Sequence, residues 1–253
     1  MDQIYIPKNR TGFNIGNYVV IKPLETNREE KPIKKLYFYG VKNLEPIKLE
    51  IIHEISTIIN KYLDGYDNLI ITGSFLEKGF HFNDIDILIV GNGKINQEPI
   101  KEAIERKIGV KGHILTLSNK ELAKGLETDP LYCVMLSRCV AQKRFLYKTK
   151  QTIDYKLLDL HLLKSKVLLD NFDVLNGKQK YDFVRNIVAI SLYLNGNKVT
   201  VGSIDTEIKR SLGIRVQEIK NNLLNKKEFL KKYKLIYDKT FSMILRGISH
   251  GSK

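Results

Sequence analysis

Two aspartates, one residue apart, open an otherwise aliphatic run: Asp84-Ile85-Asp86-Ile87-Leu88-Ile89-Val90. So dense a cluster of β-branched and aliphatic residues predicts a buried strand. Side chains alternate along a strand, so Ile85, Ile87 and Ile89 share the core face while Asp84 and Asp86 point together to the other. Two carboxylates held this close repel, and each raises the pKa of the other. The pairing makes physical sense where a divalent cation neutralises both, and Mg²⁺ is the obvious ion.

A second apolar run, Asn68-Leu69-Ile70-Ile71-Thr72, stops at Gly73-Ser74 ahead of this segment. Glycine at such a stop lets the backbone come close to a ligand, and a hydroxyl with free N–H groups at a helix start can hold phosphate oxygens. Lys78 and His81 lie in the connecting loop, where each either adds positive charge to the site or stays solvated. Metal and phosphates would therefore meet between the two strands.

The rest of the chain supplies the frame. Ile47, Ile51, Ile52, Ile55, Ile58, Ile59 and Tyr62 recur at helical spacing from Pro46 to about Asp64-Gly65. Asn96 and Pro99 open a helix to about Lys107, and His113-Ile114-Leu115-Thr116-Leu117 reads as a third strand. Ser118 and Glu121 fit a capping box, and Asp129-Pro130 opens a helix expected to run to about Val140. Residues 46–150 thus alternate helix and strand. Before them, Ile4-Tyr5-Ile6, Tyr18-Val19-Val20-Ile21 and Leu36-Tyr37-Phe38-Tyr39 suggest an N-terminal β extension over 1–45. Beyond 150 the pattern is helical, in segments marked by Leu157 to Leu169, Tyr181 to Leu194, Ser203 to Leu212 and Leu223 to Lys239, with Phe241 to Leu245 extending or following the last. The expected class is α+β, a small mixed sheet with flanking helices followed by an α-helical domain over 151–253.

With 43% hydrophobic and 28% charged residues, the 253-residue chain has the composition of a folded globular protein. Forty-two Lys and Arg against 28 Asp and Glu give a net charge of +14, which favours polyanionic partners. Residues 1–150 hold 23 basic and 18 acidic side chains, and residues 151–253 hold 19 and 10, so the surplus lies mostly in the helical part. There, Lys226, Lys227, Lys231, Lys232 and Lys234 interleave with Tyr233 and Tyr237. The segment is either an RNA surface or, with Phe229 and Leu230, a core stripe beneath a solvated lysine face, the reading that the spacing favours. Cys133 and Cys139 are too few and too poorly spaced for a disulfide framework or a zinc site, and read as small buried hydrophobes in a helix. No membrane span and no signal peptide is evident, so a cytoplasmic location is expected, with no membrane partner. The oligomeric state is open.

Gly-Ser, nine residues, then Asp-Ile-Asp at the head of a buried strand resembles the signature of the DNA polymerase β-like nucleotidyltransferase superfamily. The resemblance spans residues 46–150 in order of elements, including the Asp-Pro-Leu helix and the following Phe145-Leu146-Tyr147. It implies a minimal nucleotidyltransferase-type domain in which Gly73 and Ser74, with Lys78 nearby, hold a nucleoside triphosphate. Asp84 and Asp86 would bind one or two Mg²⁺ ions as a hydroxyl of RNA, protein or a small molecule attacks the α-phosphorus. Active members carry a third carboxylate on the strand that here reads Lys111-Gly112-His113-Ile114-Leu115-Thr116, with no acid in it. His113 takes that place as a metal ligand or proton acceptor, or is a hydrogen-bonded structural histidine, and Glu77 or Glu98 are further candidates from loops. Two functional alternatives remain: a catalytically impaired relative that binds nucleotide or nucleic acid as a regulator, and a plain nucleic-acid-binding protein with an incidental aspartate pair.

Overall fold

Both aliphatic runs become strands, and the sheet grows outward from them. The computed structural model of the protein describes residues 35–93, 95–145 and 150–251. In chain order these form β1 (Tyr37–Tyr39), α1 (Pro46–Tyr62), β2 (Asn68–Thr72), a three-residue 3₁₀ turn (Ser74–Leu76), β3 (Asp84–Val90), α2 (Glu98–Ile108), β4 (Lys111–Leu117), α3 (Asn119–Thr128), α4 (Pro130–Ser137) and β5 (Cys139–Ala141). Five helices follow: α5 (Tyr155–Asp170), α6 (Gly177–Leu194), α7 (Val201–Leu212), α8 (Val216–Lys220) and α9 (Lys226–Gly251). The architecture is mixed α/β, with a five-stranded mixed sheet in the order β1-β5-β2-β3-β4. Within it β3 and β4 are parallel, joined by α2 as a parallel pair requires, while the other neighbours are antiparallel.

Period-two alternation divides the sheet into two faces. Leu69, Ile71, Ile85, Ile87 and Ile89 pack with Ile52, Ile55 and Ile59 of α1 and with Ile100 and Ile104 of α2. On the other face, Ile70, Leu88 and Val90 meet Leu122 of α3 and Leu136 of α4. A third core fills the helical part, where Leu158, Leu162, Ile187, Ile190, Ile204 and Tyr233 are buried together, and α4 contributes Val134 to it. Sequence-coded caps start these helices: capping boxes at Ser118/Glu121, Asn176/Gln179 and Thr200/Ser203 satisfy first-turn N–H groups.

Several expectations change. Residues 139–141 are not the end of a helix: α4 stops at Ser137, and β5 pairs with β1 on one side and β2 on the other. An apolar run this short reads equally as helix or strand. The open slot between β1 and β2 decides it, because all three residues are buried there. Both cysteines are free, Cys139 buried in β5 and Cys133 half-buried in α4. α7 begins two residues earlier than expected, α8 was not foreseen, and Phe241 to Leu245 continue α9 without a break. The expected strands at 4–6 and 18–21, and Leu146-Tyr147, lie outside the described residues. Among the described residues no helix is long and apolar enough to cross a membrane.

The C-terminal tyrosine pattern is a core stripe. Phe229 and Tyr233 are buried, and the Tyr233 hydroxyl donates to the Ser165 carbonyl of α5 at 2.8 Å. Lys227, Lys231 and Lys234 stay exposed on the opposite side. Replacing Tyr233 with Ala should cost about 3–5 kcal/mol in urea unfolding, whereas Lys234→Ala should fall within about 0.5 kcal/mol of the parent.

Candidate active site

Strand register places the predicted residues. Thr72, Asp86 and His113 stand side by side across β2, β3 and β4, while Asp84 is opposite Lys111. Asp84 and Asp86 lie on the face of β3 that also carries Leu88 and Val90, and their strand end opens beside Gly73. His113 Nδ1 lies 3.5 Å from an Asp86 carboxylate oxygen, and its side chain is 80% exposed. Among the described residues neither aspartate is paired with a lysine or arginine.

Gly73 makes this approach possible. Its backbone, at φ 82° and ψ −165°, lies in a region essentially reserved for glycine. A Cβ built there would stand 2.0 Å from Asp86 Oδ2. The carboxylate therefore rests directly against the turn that leads into Ser74. The helix expected after Gly73 is only the three-residue turn Ser74–Leu76, too short for an appreciable macrodipole, so phosphate binding there would rest on individual groups such as the half-buried Ser74 hydroxyl. Lys78 is exposed on the following loop, and no hydrogen bond or ion pair holds it among the described residues.

A cleft of about 390 Å³ adjoins the carboxylates, lined by Thr72, Gly73, Asp86 and His113 and walled by Leu115 of β4, Leu131 and Met135 of α4 and Arg185 of α6. Burial pushes the Asp86 carboxyl above the usual carboxylate value, and the Asp84 charge adds to this. His113 and Lys178 of α6 partly offset it. Among the described residues no three His, Cys, Asp or Glu side chains gather into a metal cage. Two carboxylates nevertheless suit Mg²⁺, which commonly takes one or two of them and completes its shell with phosphate oxygens and water.

The alternative acids are engaged elsewhere. Glu77 accepts from Arg138 at 3.0 Å and from Lys220 of α8 at 3.0 and 3.1 Å. Burial alone would raise its pKa, but these two cations hold it below the usual value. Glu98 pairs with Lys101 at 2.7 Å in the first turn of α2.

Pattern reading missed the group that fixes the loop between Ser74 and Asp84. Lys48 of α1 is fully buried, and its ammonium donates to the carbonyls of Glu77 at 2.5 Å and Gly79 at 2.7 Å and pairs with Glu45 at 3.0 Å. Glu45 in turn accepts the Gly79 N–H at 2.7 Å. The rings of Phe75, Phe80 and Phe82 surround the ammonium at 5.4–5.7 Å. A signal existed, since Lys48 is in helical phase with Ile52, Ile55 and Ile59, at a position that ought to be apolar.

In comparisons with known proteins, no family model matches this chain, and no curated protein matches it either.

Gly73→Ala should lower stability by about 1–3 kcal/mol through backbone strain and displace the Asp86 carboxylate, whereas Gly65→Ala, with open space around it, should not; urea unfolding of both checks this. Lys48→Met should orphan two buried carbonyls at about 1–3 kcal/mol each, read in the same way. The Gly79 N–H, and after it Lys48, holds the Glu45 carboxyl down at about 2. Because that lies below the ordinary 4.5, the stability it contributes is complete above pH 4.5 and lost as pH falls toward 2. Between about pH 5 and pH 3 the parent should therefore lose more stability than Glu45→Gln.

Proposed function

We propose that this chain is a Mg²⁺-dependent nucleotidyltransferase that moves a nucleoside monophosphate from an NTP to an acceptor hydroxyl. The observation that carries the reading is the contact of the Asp86 carboxylate with Gly73. It joins the acidic strand end to the glycine-serine turn at one point, beside a cleft of about 390 Å³. The antiparallel β2–β3 pair followed through α2 by parallel β4 agrees with the order of elements on which the superfamily resemblance rests.

In this reading Asp84 and Asp86 hold Mg²⁺, which when bound supplies charge neutralisation between the carboxylates and the triphosphate. Gly73 admits the phosphates close to the backbone, and the Ser74 hydroxyl and the Lys78 ammonium donate to their oxygens. Arg185 and Lys178, on the α6 side, add positive charge opposite the carboxylates. The acceptor oxygen bonds to the α-phosphorus as the bond to pyrophosphate breaks. The hydroxyl proton passes to His113, which stands in register with Asp86 where the family carries its third acid. RNA is a candidate acceptor, with the exposed lysines of α9 available to its phosphates.

One observation favours a second reading. With His113 in place of an acid and no three-ligand cluster among the described residues, the chain could bind nucleotide and regulate without turnover. Incubation with Mg²⁺, each labelled NTP and total tRNA separates the two. Labelled product, reduced about a hundred-fold or more in Asp84→Asn and Asp86→Asn, is the expected outcome. Nucleotide binding without product supports the regulator, and no binding by the parent protein overturns both.

A further inference from the structure

The loop that Lys48 fixes presents an aromatic ring to solvent. Phe75 is buried and meets Phe82 edge-on with centroids 5.0 Å apart; Phe82 meets Phe80 at 6.4 Å; and Phe80 is 55% exposed. The three rings make a ladder from core to surface, with the Lys48 ammonium 5.4 Å from the outermost centroid. Loop tips usually carry small polar residues and move. Here the backbone on the N-terminal side of Phe80 is held by three hydrogen bonds, those of Lys48 to Glu77 and Gly79 and that of Gly79 to Glu45. Lys78 and His81, both exposed, flank the ring, and no acidic residue lies between Lys78 and Asp84.

An immobilised, solvent-facing aromatic flanked by basic side chains has the composition of a stacking site for an unpaired nucleobase and its adjoining phosphate. Every base offers a π-face, and ordering the ring beforehand removes an entropic cost of binding. Phe80 is four residues from Asp84, at most about 14 Å of extended chain. We infer that Phe80 is the platform on which a single-stranded nucleic-acid acceptor rests its end near the carboxylates. This names the acceptor class and rests on the nucleotidyltransferase reading for its purpose, although not for its chemistry. A competing role, an apolar cover over Lys48, would be served largely by leucine, which keeps the covering bulk and loses only the ring's attraction for the ammonium.

The test uses the full chain and a fluorescently labelled single-stranded RNA of about 12 nucleotides, with DNA of the same sequence and duplex RNA as further arms, read by anisotropy. The expected result is tighter binding of single strands than of duplex, weakened roughly five-fold or more by Phe80→Leu and kept by Phe80→Trp. Preference for RNA or for DNA then identifies the source of the strand. Equal affinity of parent and Phe80→Leu, equal affinity for duplex, or no binding by the parent overturns the inference. Should Phe80→Leu melt at a lower temperature than the parent, ultraviolet crosslinking of the unaltered protein to a thiouridine-containing strand decides. A crosslink within residues 78–82 supports the platform, and crosslinks confined to α9 or to other segments overturn it. Mg²⁺-dependent binding of labelled NTP is measured on the same sample, so loss of the nucleotidyltransferase reading and loss of the platform are seen separately.

Discussion

A buried ammonium group organises the acidic end of the sheet. Lys48 stands on the core face of α1, and what it holds is backbone: two carbonyls in the loop that joins the glycine-serine turn to β3. A buried cation without partners would be prohibitively costly. Glu45 and the two carbonyls make its burial tolerable, and three phenyl rings complete its surroundings. The same loop is gripped from its other side through the Glu77 side chain, which reaches Arg138 at the end of α4 and Lys220 in α8. Both anchors act at residues 77–79, within the loop between Gly73 and Asp84, so that loop is fixed at its middle rather than free.

At the carboxylates the balance of forces is different. Among the described residues no lysine or arginine pairs with Asp84 or Asp86, His113 and Lys178 offset the effect only in part, and burial together with the Asp84 charge raises the Asp86 pKa. A protein optimised for stability alone would place aliphatic residues there, as it does at Ile85, Ile87 and Ile89 on the opposite face. Two acids side by side at a half-buried strand end, with the Asp86 carboxyl shifted upward, mark a candidate site for a cation. The proposed ligand, a cation shared with a triphosphate, is the one that reverses this penalty.

Much of this was legible in the sequence because it depends on short-range rules. Alternation along a strand set Asp84 and Asp86 on one face, glycine marked the point of close approach, and the Ser118/Glu121 capping box fixed the start of α3, whereas α6 and α7 begin at Gly177 and Val201, ahead of the apolar residues that marked them. What could not be read depends on residues distant in the chain. Whether 139–141 forms helix or strand depended on the gap between β1 and β2, which a local window cannot see. The engagement of Glu77 with Lys220, 143 residues away, removed it from the list of third acids. Arg185 had no motif to mark it, and reaches the cleft only because α4 and α6 pack against each other. Lys48 carries no motif, and only its phase on α1 with Ile52, Ile55 and Ile59 marks it as a core position.

The eight-residue helix α4 has one further consequence. Val134 belongs to the helical core, Leu136 to the sheet core, and the helix leads directly into β5, a central strand. Melting either core would strip a wall from the other, so the two should lose their structure together in one cooperative transition. Cutting the chain at the point where the strands end and the helices begin would not free two autonomous folding units; it would leave each half with a hydrophobic wound where its neighbour had been.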